Sequence, residues 1–300
     1  MRPFSLIAKK WCKSEINTPD SQVALTRASL KLSISSSVAL SINWTTLFRN
    51  NFLSNTVRSE IPKVTMNSLQ QLHEIFNPGS PKAMQSSLSD IVLIAIDFEN
   101  TQVMKDACTV EKNWQAGVAI LDTKNIKQQQ LDKLLRTHMF VTGTTAYVTK
   151  ASNRYWFGKT DSASPLKLVN FIRSVVPPER KVAFVGHGVM NDLLVLQALG
   201  FQFPDSYVAF IDTLHVANEV FGCWAGPLRN LLRKLDCPHS RLHCAGNDAN
   251  FTMKALLLLA AKKLEKEDGD RSMIDLLRRL GRRELPRRIL SQVEEKPTKQ

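Results

Sequence analysis

Cysteine is scarce in this chain. Five residues (Cys12, Cys108, Cys223, Cys237 and Cys244) are spread over 300 positions, an odd number with no CxxC pair. That excludes a disulfide framework and a zinc site of familiar spacing, and it points to a reducing compartment. Long apolar runs are missing too. No stretch reaches the roughly 18 apolar residues of a membrane-spanning helix, so no membrane partner is expected. Neither GxGxxG nor GxxxxGK[ST] follows the first strand-like run, which argues against a dinucleotide-binding or P-loop protein. Internal repeats and long low-complexity segments are also absent.

Acids are outnumbered: 27 Asp and Glu stand against 40 Lys and Arg, a formal charge of +13. The excess is distributed. Residues 1–90 carry 10 basic against 5 acidic side chains, 91–261 carry 18 against 14, and 262–300 carry 12 against 8, giving +5, +4 and +4. A basic surface of this kind steers polyanions such as nucleic acid. General solubility explains it equally well, so charge alone decides nothing.

Residues 1–63 are rich in Ser and hold only Glu15, Asp20 and Glu60 as acids. This is the composition of a poorly ordered extension or of an organellar transit peptide. The expected location is intracellular, in cytoplasm or nucleus, with mitochondrial targeting as the alternative. Residues 64–90 read as a helical lead-in (Leu69, Leu72, Ile75, Phe76) and a linker, NPGSPK. Residues 91–265 read as an α/β domain and 266–300 as a charged, partly helical tail. In that tail Arg278, Arg279, Arg282 and Arg283 form a solvated helix face or a phosphate contact, the former being favoured.

Within the domain, IVLIAID (91–97) is a continuous apolar run ending in an acid, as in a strand buried on both faces. QAGVAILD (115–122), TAYVTK (145–150), VAFVGH (182–187) and VAFID (208–212) complete five strand candidates. Helical patterns occupy 164–175, 189–200, 226–236 and 247–265, with Ser-Pro and Gly-Pro starts and a closing Gly200.

Three places carry chemistry. Asp97 and Glu99 lie two apart at a strand end, where period-two geometry turns both carboxylates to one face. An ordinary strand end also carries Asp. Asp192 opens a helix after Gly186-His187-Gly188, glycines that admit a phosphate or a neighbouring strand. Its favourable place against the helix dipole is explanation enough when taken alone. His243 and Asp248, in HCAGND, place an imidazole that titrates near neutrality beside a carboxylate at a helix start. A simple cap by Asn247 or Asp248 fits the same residues. Four carboxylates beside apolar runs are costly to bury unpaired, and a pair of divalent cations would satisfy them.

The order DxE, then Asp in GHxxxNDLxxL, then HxAGxDA resembles the DEDDh branch of 3′–5′ exonucleases, over about residues 90–262. It is most similar to the exonuclease-like domain of fungal proteins linked to mRNA export. The resemblance implies a ribonuclease H-like α/β fold, a five-stranded mixed sheet with its first three strands antiparallel and helices on its faces. It implies that Asp97, Glu99, Asp192 and Asp248 bind two Mg²⁺ or Mn²⁺ ions, with His243 as general base. Phe98, Asn100, His187 and Gly188 would meet the substrate, single-stranded RNA or DNA with RNA favoured. One departure stands out: the better-known second motif reads HNxxFD, and here Gly188 and Asn191 replace its Asn and Phe. A binding adaptor of the same fold with little turnover, and an endonuclease, are the competing readings. Tyr155, Trp156 and Trp224 are expected to pack rather than stack bases, and His215 and His239 to be incidental.

Overall fold

The computed structural model describes residues 68–77, 88, 90–100, 112–124, 126–127, 130–162, 164–176, 179–203 and 207–286. The extension at 1–63, Cys12, and residues 101–111 with Cys108 lie outside the described residues. Among those described, Cys223, Cys237 and Cys244 are free thiols, and no helix is long and apolar enough to cross a membrane.

Six strands form one mixed sheet: β1 (Ile91–Glu99), β2 (Trp114–Asp122), β3 (Leu135–Thr142), β4 (Thr160–Ser162), β5 (Lys181–Gly186) and β6 (Tyr207–Asp212). Their spatial order is β4-β3-β2-β1-β5-β6. The pairs β1–β2 and β2–β3 are antiparallel, while β1–β5, β5–β6 and β3–β4 run parallel. The ribonuclease H-like fold class, with its first three strands antiparallel, is therefore present.

Two expectations need correction. The sheet has six strands, not five, because Thr160–Ser162 adds a three-residue edge strand whose sequence, TDS, has no apolar residue to announce it. The third strand is LRTHMFVT, not TAYVTK. Residues Thr145–Arg154 are helical, because Gly143 (φ +129°) ends the strand and the Thr144 side chain caps the next turn by accepting the Tyr147 N–H at 3.3 Å. The true third strand was masked by its half-exposed, polar first half around Arg136 and Thr137.

The helices are α1 (Ser68–Phe76), α2 (Leu131–Leu134), α3 (Thr145–Arg154), α4 (Pro165–Val175), α5 (Met190–Ala198), α6 (Thr213–Phe221), α7 (Leu228–Lys234), α8 (Ala245–Lys266) and α9 (Arg271–Gly281). The central one is α8. It is buried continuously from Ala245 to Ala261: apolar all round from Ala255 to Ala261, as suits a core helix, but with Asn247, Asp248, Asn250, Thr252 and Lys254 buried before that. One side lies on β1, β2 and β3, and the other meets α9, α6 and α1. The alternate residues Ile91, Leu93 and Ala95 of β1 join this core. The same period carries Asp97 and Glu99 to the α8 side of the sheet. Leu72, Ile75 and Phe76 of α1 and Met273, Ile274 and Leu277 of α9 belong to the same core. At the opposite end of β1, Arg180 makes a two-pronged bond to Asp122 (2.6 and 2.7 Å) and a third contact to Asp90.

Candidate active site

The carboxylates gather where β1 ends. Asp97 pairs in register with Gly117 of β2, and Gly117 lets α8 start directly above it. A Cβ at position 117 would lie 1.9 Å from the Ala245 carbonyl oxygen, and one at Gly246 would lie 2.6 Å from the Tyr155 ring. Two glycines thus seat the first turn of α8 against the sheet and bring Asp248 over β1. Asp192 comes from the first turn of α5 and accepts the Phe98 backbone N–H at 3.0 Å.

Three of the expected residues meet closely. Ligand atoms of Glu99, His243 and Asp248 all lie within 4.8 Å of one another. The His243 Nδ1 is 3.6 Å from Glu99 Oε1, and its ring is 78% exposed, so the other ring nitrogen faces the open side. The His243 backbone N–H donates to Asp248 Oδ2 at 2.7 Å.

Electrostatics betray the crowding. Burial, then the charges of Asp192, Asp248 and Glu99, push the Asp97 carboxyl well above its usual range. Burial raises Asp192 to about 8 against the opposing Phe98 N–H, with Asp212 and Glu99 adding to the rise. Burial raises Asp248 to about 7 against the His243 N–H, with the Glu99 charge adding. One oxygen on each of two side chains, Asp97 Oδ2 and Asp248 Oδ1, is buried with no hydrogen-bond partner. Such oxygens cost about 1–3 kcal/mol apiece unless something polar reaches them. A hard divalent cation is the partner this oxygen-rich donor set fits.

The other expected residues fare differently. Phe98 is buried and contributes its backbone N–H to Asp192. Asn100 adopts φ +65° and donates its side-chain amide to the Tyr147 hydroxyl at 2.8 Å. His187 bonds to other groups, with Nδ1 3.0 Å from Thr213 Oγ1 and Nε2 3.1 Å from the Gly226 carbonyl. Gly188 (φ +78°) gives its N–H to Asp212. Tyr155 is buried and donates to the Thr137 carbonyl at 2.9 Å. Trp156 carries the Arg241 guanidinium over its ring at 5.0 Å, while Trp224 is not packed but 70% exposed.

Two residues escaped the sequence reading. Asp212 accepts the backbone N–H groups of Gly188, Val189 and Leu214 (3.0, 3.2 and 2.9 Å) and thereby shapes the turn that launches α5. Its signal was present, since VAFID ends on an acid as IVLIAID does. Asn247 does not cap α8, whose N-cap is Cys244; it lies in the first turn and works as an anchor. Fully buried, it accepts the Trp156 N–H at 3.0 Å and donates to the carbonyls of Arg154 (3.0 Å) and Arg241 (3.1 Å). Arg154 reaches the Leu242 carbonyl and Arg241 the Asn153 carbonyl. Together they tie the loop before α8 to the end of α3, holding Arg241 (φ +52°) and His243 (φ +63°) in left-handed conformations that cost about 1–3 kcal/mol each for such residues.

A family model described as "DNA polymerase III subunit epsilon-like, C-terminal domain", of the DEDDh type, matches residues 92–259. Two proteins of Saccharomyces cerevisiae are similar. "Uncharacterized protein YDR514C" is 24% identical over 216 residues, covering 61% of this chain and 44% of that protein. "Good for full DBP5 activity protein 2" is 30% identical over 156 residues, covering 42% of this chain and 27% of that protein. The chain thus spans less than half the length of either relative.

Proposed function

The chain belongs to the DEDDh exonuclease-like family, whose model spans more than half of it, and on that basis we propose that it is a metal-dependent 3′–5′ exonuclease of single-stranded nucleic acid. The observation that carries the proposal is the pair of buried, partnerless oxygens, Asp97 Oδ2 and Asp248 Oδ1, beside Glu99 and His243. Asp97, Glu99, Asp192 and Asp248 would hold two Mg²⁺ or Mn²⁺ ions. When bound, these supply positive charge at the phosphodiester and acidify the attacking water.

The chain's own residues do the remaining work. His243 takes the water's proton at Nε2, the nitrogen turned away from Glu99. Its Nδ1 faces Glu99 Oε1 at 3.6 Å, which sets the orientation of the ring. The Phe98 N–H fixes Asp192, and the His243 N–H fixes one oxygen of Asp248, so both carboxylates are oriented before substrate arrives. RNA is placed ahead of DNA because the chain resembles fungal proteins linked to mRNA export.

The test is hydrolysis of 5′-labelled single-stranded RNA and its DNA equivalent with Mg²⁺, Mn²⁺ or EDTA, using wild type and Asp248→Ala. A metal-dependent ladder that shortens from the 3′ end, absent in the variant, is expected. Intact RNA under every metal condition, from folded protein that binds it, would replace the enzyme with a nucleic-acid-binding adaptor. Cuts in a circular substrate would replace it with an endonuclease.

A further inference from the structure

On the far side of α8 from the carboxylates lies a cavity of about 300 Å³, at the lower end of the size range of small-molecule sites. Asn250 and Lys254 both line it, and four residues apart on a helix they share one face. Asp248 precedes Asn250 by two residues, about 200° around the same helix, so the two sites are separate.

The Lys254 side chain belongs to a residue only 2% exposed. Its ammonium donates to the Arg283 carbonyl at 2.8 Å and sits over the rings of Phe157 (5.7 Å) and Phe251 (5.9 Å). Among the described residues no carboxylate pairs with it. A buried cation served by one carbonyl and two ring faces lacks the anion that normally accompanies such a charge. Asn250, also 2% exposed, gives its amide N–H to Thr137 Oγ1 at 2.8 Å, yet its Oδ1 is buried without a donor. The indole N–H of Trp156, another lining residue, is likewise buried without an acceptor. Leu131, Leu135, Phe157 and Leu280 supply apolar walls. The mouth mixes Arg283 with Asp132 and Glu284, all exposed, so the buried ammonium sets the sign of the interior.

We propose that this cavity binds a nucleoside 5′-monophosphate, with its phosphate on Lys254 and an N–H of its base (exocyclic in AMP, ring in UMP) donated to Asn250 Oδ1. The anion and the N–H donor follow from the cavity alone. The choice of a nucleotide rests on the exonuclease reading, because that reaction releases nucleoside 5′-monophosphates.

The experiment is calorimetric titration of the full chain in EDTA with AMP, UMP and inorganic phosphate, for wild type, Lys254→Met, Asn250→Leu and Asp248→Ala. The nucleotide is expected to bind wild type and Asp248→Ala alike, and to bind the other two variants about tenfold more weakly or worse. No binding of either nucleotide would overturn the site. So would binding lost in Asp248→Ala but kept in Lys254→Met, which would assign it to the carboxylate cluster. Phosphate binding as tightly as AMP would overturn the contact of the base with Asn250. Should both cavity variants fail to fold, the indole N–H resonance of Trp156 in the wild-type chain decides: it is expected to shift on adding AMP, and an unmoved resonance overturns the proposal. With no metal and no RNA present, these results stand whether or not the chain cuts RNA.

Discussion

Single atoms set the behaviour of the carboxylate cluster. Burial and nearby negative charge disfavour the charged forms of three acids: Asp192 lies near 8, Asp248 near 7, and Asp97 is raised in the same direction. Ordinary Asp in an unfolded chain titrates near 4. Between about pH 4 and 8 the folded state therefore binds more protons than the unfolded one, and these groups lower stability progressively as pH rises. A divalent cation reverses the preference by favouring the ionised forms. Mn²⁺ is accordingly expected to raise the melting temperature more at pH 8 than at pH 6, by differential scanning fluorimetry against EDTA, with a smaller rise in Asp248→Asn. Equal rises at both pH values would contradict cation binding by these acids. Asn247 supplies a second prediction. Its three bonds fasten the loop that presents His243, so Asn247→Ala should cost about 2–4 kcal/mol in a urea melt. If the exonuclease reading is right, cleavage at saturating RNA should slow by up to about a hundredfold through misplacement of the imidazole.

At the scale of elements, the approach of α8 to β2 decides whether Asp248 reaches Asp97. Gly117→Ala puts a methyl group against the Ala245 carbonyl. It is expected to destabilise the fold by about 1–3 kcal/mol or more through overpacking, read from a chemical melt, and to abolish the metal-dependent rise in melting temperature even where the variant still folds. The same elements explain what could be read beforehand. β1, β2, β5 and β6 are covered on both faces, so each appears as an apolar run that a linear inspection finds. β3 begins half-exposed and β4 holds only polar residues at the sheet edge, so neither leaves such a trace. Asp97, Glu99, Asp192, His243 and Asp248 were visible because their spacing matched a family pattern. The roles of Asp212 and Asn247 are not legible, although VAFID shows the acid and HCAGND the amide, because both bond to backbone groups of other elements. Gly117 reads in the sequence as any strand glycine, and only α8 resting on it gives it a role.

For the molecule as a whole, α9 and α1 complete the covering of α8. Met273, Ile274, Leu276, Leu277 and Leu280 of α9 are buried, and a Cβ at Gly281 would lie 2.4 Å from Leu258 Cγ, so the two helices pack closely. Leu277→Ala is expected to cost about 2–5 kcal/mol, and a chain ending at residue 266 should lose cooperative unfolding in urea. An unchanged melt would show that α9 is dispensable.

The arrangement also has a consequence in time. Asp97, Glu99 and Asp192 are synthesised first, whereas His243, Asp248 and the helix that seats them come late in the chain. A nascent chain still short of α8 carries fragments of the cluster and no means of joining them. If the exonuclease reading is right, the site stays unfinished until α8 itself has been translated.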